Sequence, residues 1–202
     1  MKRLHRSDLY GWSQFDRERN IDFQSVLWVR PAGNVIVDPL PLSDHDQNHL
    51  NNLGGAAWIV ITNSDHIRAS AAVAQLTGAK IFGPQGESRT FAIPCDRWLS
   101  EGDEVIPGLT VLEMQGSKTP GELALVLERT TVITGDLIRA HGAGALCLLS
   151  AAKLTDEAQA LQSVERITQL PSIEAVLVGD GWPIFRDASA VLTELWATCS
   201  VA

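Results

Sequence analysis

Four apolar stretches of this 202-residue chain each run into polar residues able to do chemistry. Ala57–Thr62 (AWIVIT) leads into Asn63-Ser64-Asp65-His66, and Leu109–Gln115 leads into Gly116-Ser117-Lys118-Thr119-Pro120-Gly121. Thr131–Thr134 leads into Gly135-Asp136, and Glu174–Val178 into Gly179-Asp180-Gly181. Gathered in one crevice, their three carboxylates, imidazole and ammonium can bind a divalent cation, move protons or stabilise an oxyanion. Taken singly, each residue has a plainer role. Asp65 can cap a helix, the Gly-Asp pairs can be turns, Lys118 can be solvated and His66 can be packed. Their common position at the end of an apolar run argues for a shared site, because strand ends in α/β sheets converge on one crevice.

The elements that must position these residues are legible as alternating strands and helices. Gln24–Arg30 reads as a strand paired with Asn34–Asp38 across the Pro31-Ala32-Gly33 turn. Ser43–Leu53 reads as a polar helix with Ser43 as N-cap and Gly54 as its stop. The continuous apolar run Ala57–Thr62 is the pattern of a strand buried on both faces. Asp65–Thr77 reads as one alanine-rich helix closed by Gly78, followed by a short strand at Lys80–Gly83. Leu109–Gln115, Glu122–Glu128 and Thr131–Thr134 form an expected β-meander. Thr155–Leu170 is the clearest amphipathic helix, Glu174–Val178 a buried strand, and Asp187–Thr198 a last helix capped by Asp187. This order predicts a mixed α/β (α+β) layer structure, with helices outside, in a single domain spanning residues 1–202.

Composition narrows the function. The chain is 45% hydrophobic and 20% charged, as ordinary globular proteins are. Its 24 acidic against 16 basic residues give a net charge of −8. That sign disfavours a nucleic-acid partner, which needs a cationic stripe. No uncharged apolar run approaches the ~20 residues of a membrane span, so no membrane role is expected. The N-terminal residues are charged and lack the apolar stretch of a secretory signal. Cys95, Cys147 and Cys199 are odd in number and widely spaced, and no Asn-x-Ser/Thr sequon occurs. A reducing, cytoplasmic location is expected. The sequence assigns no oligomeric state.

With these segments in order, the chain resembles the metallo-β-lactamase fold superfamily, from the Asn34–Pro39 strand-and-turn to Gly179–Pro183. The superfamily's T-H-x-H-x-D-H signature falls on Val60–His66, its H-T-P-G on Lys118–Gly121, its G-D on Gly135-Asp136 and its late G-H-G on Gly179–Gly181. The resemblance implies a four-layer αββα sandwich of two mixed sheets and a metal-dependent hydrolase. The departures are chemical. The first metal site's three histidines would be Ile61, Asn63 and Lys118, and neither an isoleucine nor a charged lysine offers a lone pair. The second site keeps Asp65, His66 and Asp136 and has Asp180 in place of its last histidine.

One divalent ion (zinc, iron or manganese) on Asp65, His66, Asp136 and Asp180 is therefore the expected cofactor, unless none is bound. Asp65, Asp136 and Asp180 against Lys118 leave the pocket near −2. At ~4 Å and an effective dielectric of about 20, each carboxylate pair costs about 4 kcal/mol, and one divalent ion closes the sum. The expected reaction is water attack on the carbonyl of a small ester, thioester or lactone. Asp65 would orient the water, and Lys118 would stand where the first metal is lost and stabilise the oxyanion. Asn63, Arg139 and His141 are the expected substrate contacts, the last two for an anionic group.

The alternative is a non-catalytic binding or structural member that kept the fold. Redox chemistry ranks below both, because no flavin domain accompanies the depleted ligand set. Three other signals carry less. His45-Asp46-Gln47-Asn48-His49 nears H-E-x-x-H but sits on a polar helix face with Asp for Glu. Ser150–Lys153 has S-x-x-K spacing without the partner motifs, and Gly142-Ala143-Gly144 lacks a third glycine.

Overall fold

The computed structural model describes residues 1–200; Val201 and Ala202 of the expected 1–202 domain lie outside the described residues. A seven-stranded sheet comes first. Its strands are β1 (Lys2–Arg3), β2 (Leu9–Asp16), β3 (Ile21–Trp28), β4 (Val35–Val37), β5 (Trp58–Val60), β6 (Lys80–Pro84) and β7 (Arg97–Leu99), paired in that order. β1 to β4 run antiparallel and β4 to β7 parallel. Helices α1 (Asp44–Asn52) and α2 (Ser70–Thr77) provide the first two parallel crossovers, and a 3₁₀ turn at Gln85–Glu87 lies in the third.

The second sheet has the order β14-β11-β10-β9-β8. Its members are β8 (Glu104–Ile106), β9 (Leu109–Glu113), β10 (Leu123–Leu127), β11 (Thr131–Thr134) and β14 (Ala175–Val178). β11 and β14 are parallel and the remaining pairs antiparallel. The hairpin β12 (Ile138–Gly142) and β13 (Ala145–Leu148) and helices α3 (Glu157–Thr168) and α4 (Ala188–Cys199) complete the chain.

Side-chain alternation builds the layers. Val35, Val37, Leu123, Leu125, Leu127, Ile133 and Leu177 fill the space between the two sheets. Their immediate neighbours point the other way. Ile36 and Ile59 pack toward α1 and α2, while Ala124, Val132 and Val176 pack toward α3 and α4. Strands buried on both faces explain why these segments read as unbroken apolar runs. The result is the expected four-layer αββα arrangement with two mixed sheets. Among the described residues, no helix is long and apolar enough to cross a membrane.

Local chemistry corrects several expected boundaries. The single helix expected over Asp65–Thr77 is a 3₁₀ turn at Ser64–His66 followed by α2, and the break falls at Arg68, whose φ is +43°. A left-handed residue cannot continue a right-handed helix. Gly78, at φ +74°, closes α2 as expected. Ser43 caps α1 through a hydrogen bond from the Asp46 backbone N–H. Asp187 precedes α4 with φ +56° and makes no side-chain cap bond. The strand expected at Gln24–Arg30 runs from Ile21 to Trp28, in register with β2, whose mixed sequence LYGWSQFD concealed it.

Candidate functional site

Parallel pairing puts the C-terminal ends of β4, β5, β11 and β14 at one edge of the sandwich. Backbone bonds join the two sheets there. Leu123 N–H donates to Thr62 O at 2.8 Å, and Gln24 N–H donates to Gly179 O at 2.8 Å. The polar residue that follows each apolar strand is thus carried into a common space, and rigid strands rather than loops hold it there.

His66 is buried and its ring is fixed through Nδ1. Nδ1 lies 2.8 Å from Asp38 Oδ2, while Nε2 faces Asp136 Oδ2 at 3.7 Å and Asp180 Oδ1 at 3.8 Å. Asp38 is itself held by Thr62, whose N–H donates to Oδ1 at 2.8 Å and whose hydroxyl donates to Oδ2 at 2.6 Å. Burial pulls the His66 pKa down, but the Asp38 charge and hydrogen bond, with Asp136, outweigh it and raise it above the usual value.

Asp136 is enclosed by donors. Arg139 Nη2 is 2.5 Å from Oδ1, and Lys118 Nζ and Asn63 Nδ2 are 2.9 and 3.1 Å from Oδ2. Burial works to raise its pKa, yet His66, Lys118 and Arg139 hold it down at about 2. Asp180 Oδ2 faces Arg139 at 3.2 Å. Its Oδ1 is buried and has no hydrogen-bond partner. Beneath these groups the buried Glu122 accepts from Ser117 Oγ at 2.5 Å and Leu137 N–H at 2.7 Å. Burial and the nearby Asp136 charge push Glu122 up to about 7.

Of the four expected metal ligands, His66, Asp136 and Asp180 come together, with one potential ligand atom from each within 4.8 Å of the others. Asp65 stands apart. It is half-exposed and turned to Lys118, with its Oδ2 2.6 Å from Nζ. Lys118 therefore bridges Asp65 and Asp136, and these ion pairs raise its pKa against the effect of burial. The three expected substrate contacts sit in different surroundings. Asn63 is buried behind Asp136 rather than facing a cavity. Arg139 is committed to Asp136 and Asp180, and the exposed His141 lines a neighbouring recess with Phe15 and Trp182.

A cavity of about 860 Å³ opens over the cluster, lined by its charged groups together with Arg19, Arg68 and Lys153 and by the apolar Ile21, Phe23 and Leu40. This architecture has a known counterpart. A family profile described as metallo-beta-lactamase superfamily matches residues 1–199. The chain belongs to the metallo-β-lactamase superfamily. Solved structures agree on the fold. The DIM-1 metallo-β-lactamase superimposes with a TM-score of 0.76 at 14% identity, covering 97% of this chain and 94% of that one. A metallo-β-lactamase from Pontibacter korlensis gives 0.74 at 14%, covering 98% and 97%. FIM-1 from Pseudomonas aeruginosa, in a mono-zinc form, gives 0.71 at 15%, covering 96% and 92%. No curated protein sequence matches the chain.

Within this metallo-β-lactamase fold, the donor set fits one divalent ion. It offers one imidazole nitrogen and two carboxylates, and the histidine is backed by a carboxylate, as metal-bound histidines are. The unpartnered Asp180 Oδ1 is the donor that such an ion would satisfy. No comparable set exists at the first site, where Ile61 is fully buried in the core and Lys118 brings a cation.

Three residues that matter here were missed in the sequence. Asp38 follows an apolar strand just as Asp136 does, so the same signal marked it. Glu122 opens a strand and its role depends on burial. Arg68 left no local signal, because its partners come from three distant segments. Arg68 and Arg139 also change the charge sum. With Glu122 protonated, Asp38, Asp65, Asp136 and Asp180 oppose Lys118, Arg68 and Arg139, leaving −1 rather than the −2 expected from sequence.

Proposed function

We propose that this protein is a divergent metal-dependent hydrolase that works with one divalent ion, zinc, iron or manganese, held by His66, Asp136 and Asp180. The observation that carries this reading is the convergence of those three ligand atoms on a histidine oriented by Asp38. When bound, such an ion supplies Lewis acidity that activates water for attack on an ester, thioester or lactone carbonyl. Lys118 lies beside the same carboxylate and offers a fixed positive charge to the developing oxyanion. Asp65 holds the Lys118 ammonium and, being half-exposed at the cavity, can accept a proton from the attacking water.

The substrate is a small anionic molecule in this reading. Arg19 and Lys153 line the cavity, and among the described residues neither side-chain cation has a carboxylate within 4.0 Å, while Asp16, which accepts from the Arg19 backbone N–H at 3.0 Å, lines the cavity too. Two unpaired cations at the cavity of a chain with net charge −8 form a local attractor for anions. Three free cysteines accord with a cytoplasmic location.

One observation favours a second reading, a non-catalytic binding member. The cluster's −1 closes to zero when His66 carries a proton, with no ion required. The readings separate on metal content, measured by mass spectrometry on freshly purified protein before and after chelation, alongside Asp136→Ala. One ion per chain in the wild type, absent from Asp136→Ala with its fold intact by circular dichroism, supports the hydrolase. Its turnover on a thioester and lactone panel is then expected to collapse in Asp65→Asn. A folded wild type without metal, indifferent in stability to added ions, moves the assignment to the binding member.

A further inference from the structure

Arg68 combines an unfavourable backbone with an extensive set of partners. Its φ of +43° lies in the left-handed region, which glycine occupies more readily than any other residue. Its side chain is nevertheless only 9% exposed, and both terminal nitrogens are engaged. Nη1 donates to Gln24 O at 2.6 Å and to Asp38 O at 3.2 Å, and Nη2 donates to Gly179 O at 3.2 Å. The guanidinium carbon lies 5.4 Å from the centre of the Phe23 ring. Backbone strain that persists at a site marks a side chain the surroundings require.

The positions of the partners define that requirement. Gln24 is on β3 and Asp38 follows β4 in the first sheet, while Gly179 follows β14 in the second. One side chain therefore ties the two sheets together directly behind Asp180. Its hydrogen bonds go to neutral carbonyls, so no carboxylate is dedicated to cancelling its charge. That charge falls on Asp180, whose unpartnered Oδ1 is 3.5 Å from Arg68 Nη2 and 3.8 Å from His66 Nε2. A cation approaching this oxygen meets a resident cation already beside it.

We infer that Arg68, through its fixed positive charge beside Asp180, holds the affinity of the His66–Asp136–Asp180 triad for a divalent ion low. The inference rests on the single-ion reading of the triad. Its mechanism is electrostatic competition inside a buried cluster, where one unit charge at 3.5 Å is poorly screened. Because the guanidinium cannot be deprotonated, the competition persists at every physiological pH.

Three variants test it, with the affinity for Zn²⁺ measured by competition against a chromophoric chelator and folding followed by thermal melts. Arg68→Gly removes the charge and suits the backbone. Arg68→Gln removes the charge but keeps a donor, and stands in for the glycine variant should that one not fold. Arg68→Lys keeps the charge and loses the planar fork. The expected result is Zn²⁺ binding about tenfold or more tighter in Arg68→Gly and Arg68→Gln, with Arg68→Lys near the wild type. A purely structural role moves the affinities the other way, since a loosened Asp180 binds less well in all three variants. Unchanged or weaker binding in the two neutral variants, beside a wild type that binds Zn²⁺, overturns the inference alone. No Zn²⁺ on any of the proteins overturns the single-ion reading and the inference with it.

Discussion

Asp38 Oδ2 accepts from His66 Nδ1 at 2.8 Å and from Thr62 Oγ1 at 2.6 Å, so one carboxylate oxygen joins the end of β4 to the imidazole of the triad. The contact leaves Nε2 as the nitrogen that faces Asp136 and Asp180. Asp38 pays a backbone cost for this position, since its φ is +49°, a conformation that Asp and Asn tolerate better than most residues.

Replacing Asp38 by Ala removes the acceptor of Thr62 N–H, Thr62 Oγ1 and His66 Nδ1, the last two of which, 3.1 Å apart, keep only each other. Stability is expected to fall by roughly 3–5 kcal/mol in urea denaturation, as for other broken buried pairs. Asp38→Asn, which keeps the shape, is expected to lose less. In both variants the His66 pKa falls, because burial then acts without its largest counterweight. Histidine NMR titration reads the shift. With its pKa raised, wild-type His66 contributes stability below pH 6.5 that is lost as pH rises through the folded value, and the variants lack that slope.

Lys118→Ala leaves Asp136 short of a partner at 2.9 Å. The Asp136 pKa, held at about 2 in the fold, rises in the variant. A depressed carboxylate pKa contributes stability above the usual 3.8 that disappears as pH falls through about 2. The variant is expected to be about 1–3 kcal/mol less stable at pH 6 and to show a shallower loss between pH 4 and 2. Denaturation midpoints across that range check both.

Gly181 has φ +99°, and a Cβ there would run into the Ala140 carbonyl. The same stretch of backbone pairs Ala140 N–H with Asp180 O at 3.1 Å and Trp182 N–H with Ala140 O at 2.9 Å. Gly181→Ala is expected to cost on the order of 3 kcal/mol, from strain and overpacking together, and to displace Asp180. Gly142→Ala, where a Cβ meets nothing within 4 Å, is the control and is expected to change the thermal midpoint little.

Glu122 is buried with a pKa raised from 4.5 to about 7. A raised carboxylate pKa gives stability that is complete below pH 4.5 and is lost as pH climbs to about 7. Glu122→Gln removes this dependence. From pH 5 to 8 the variant is expected to lose on the order of 3 kcal/mol less than the wild type, with the His66 contribution remaining in both.

The apolar runs at Ala57–Thr62, Thr131–Thr134 and Glu174–Val178 announced doubly buried strands, and each ends at the site. Period and composition act locally, so strand identity, the Ser43 cap and the Gly78 stop were readable from neighbours in the chain. The break in the expected Asp65–Thr77 helix was not, because Arg68 takes its left-handed backbone to satisfy carbonyls 44 and 111 residues away. The local preference for helix lost to long-range hydrogen bonds.

The site divides along the same line. By itself the sequence determined which donors exist: a lost first metal set at Ile61, Asn63 and Lys118, and a remaining histidine with aspartates at the ends of apolar runs. Only the tertiary structure decided that Asp65 turns to Lys118 and away from the triad, that Asp38 orients His66, and that Arg68 and Arg139 bring the cluster charge to −1. Spacing along the chain carries the identity of a ligand. Its distance from another ligand, and the charge it meets there, depend on which sheet edges pack together.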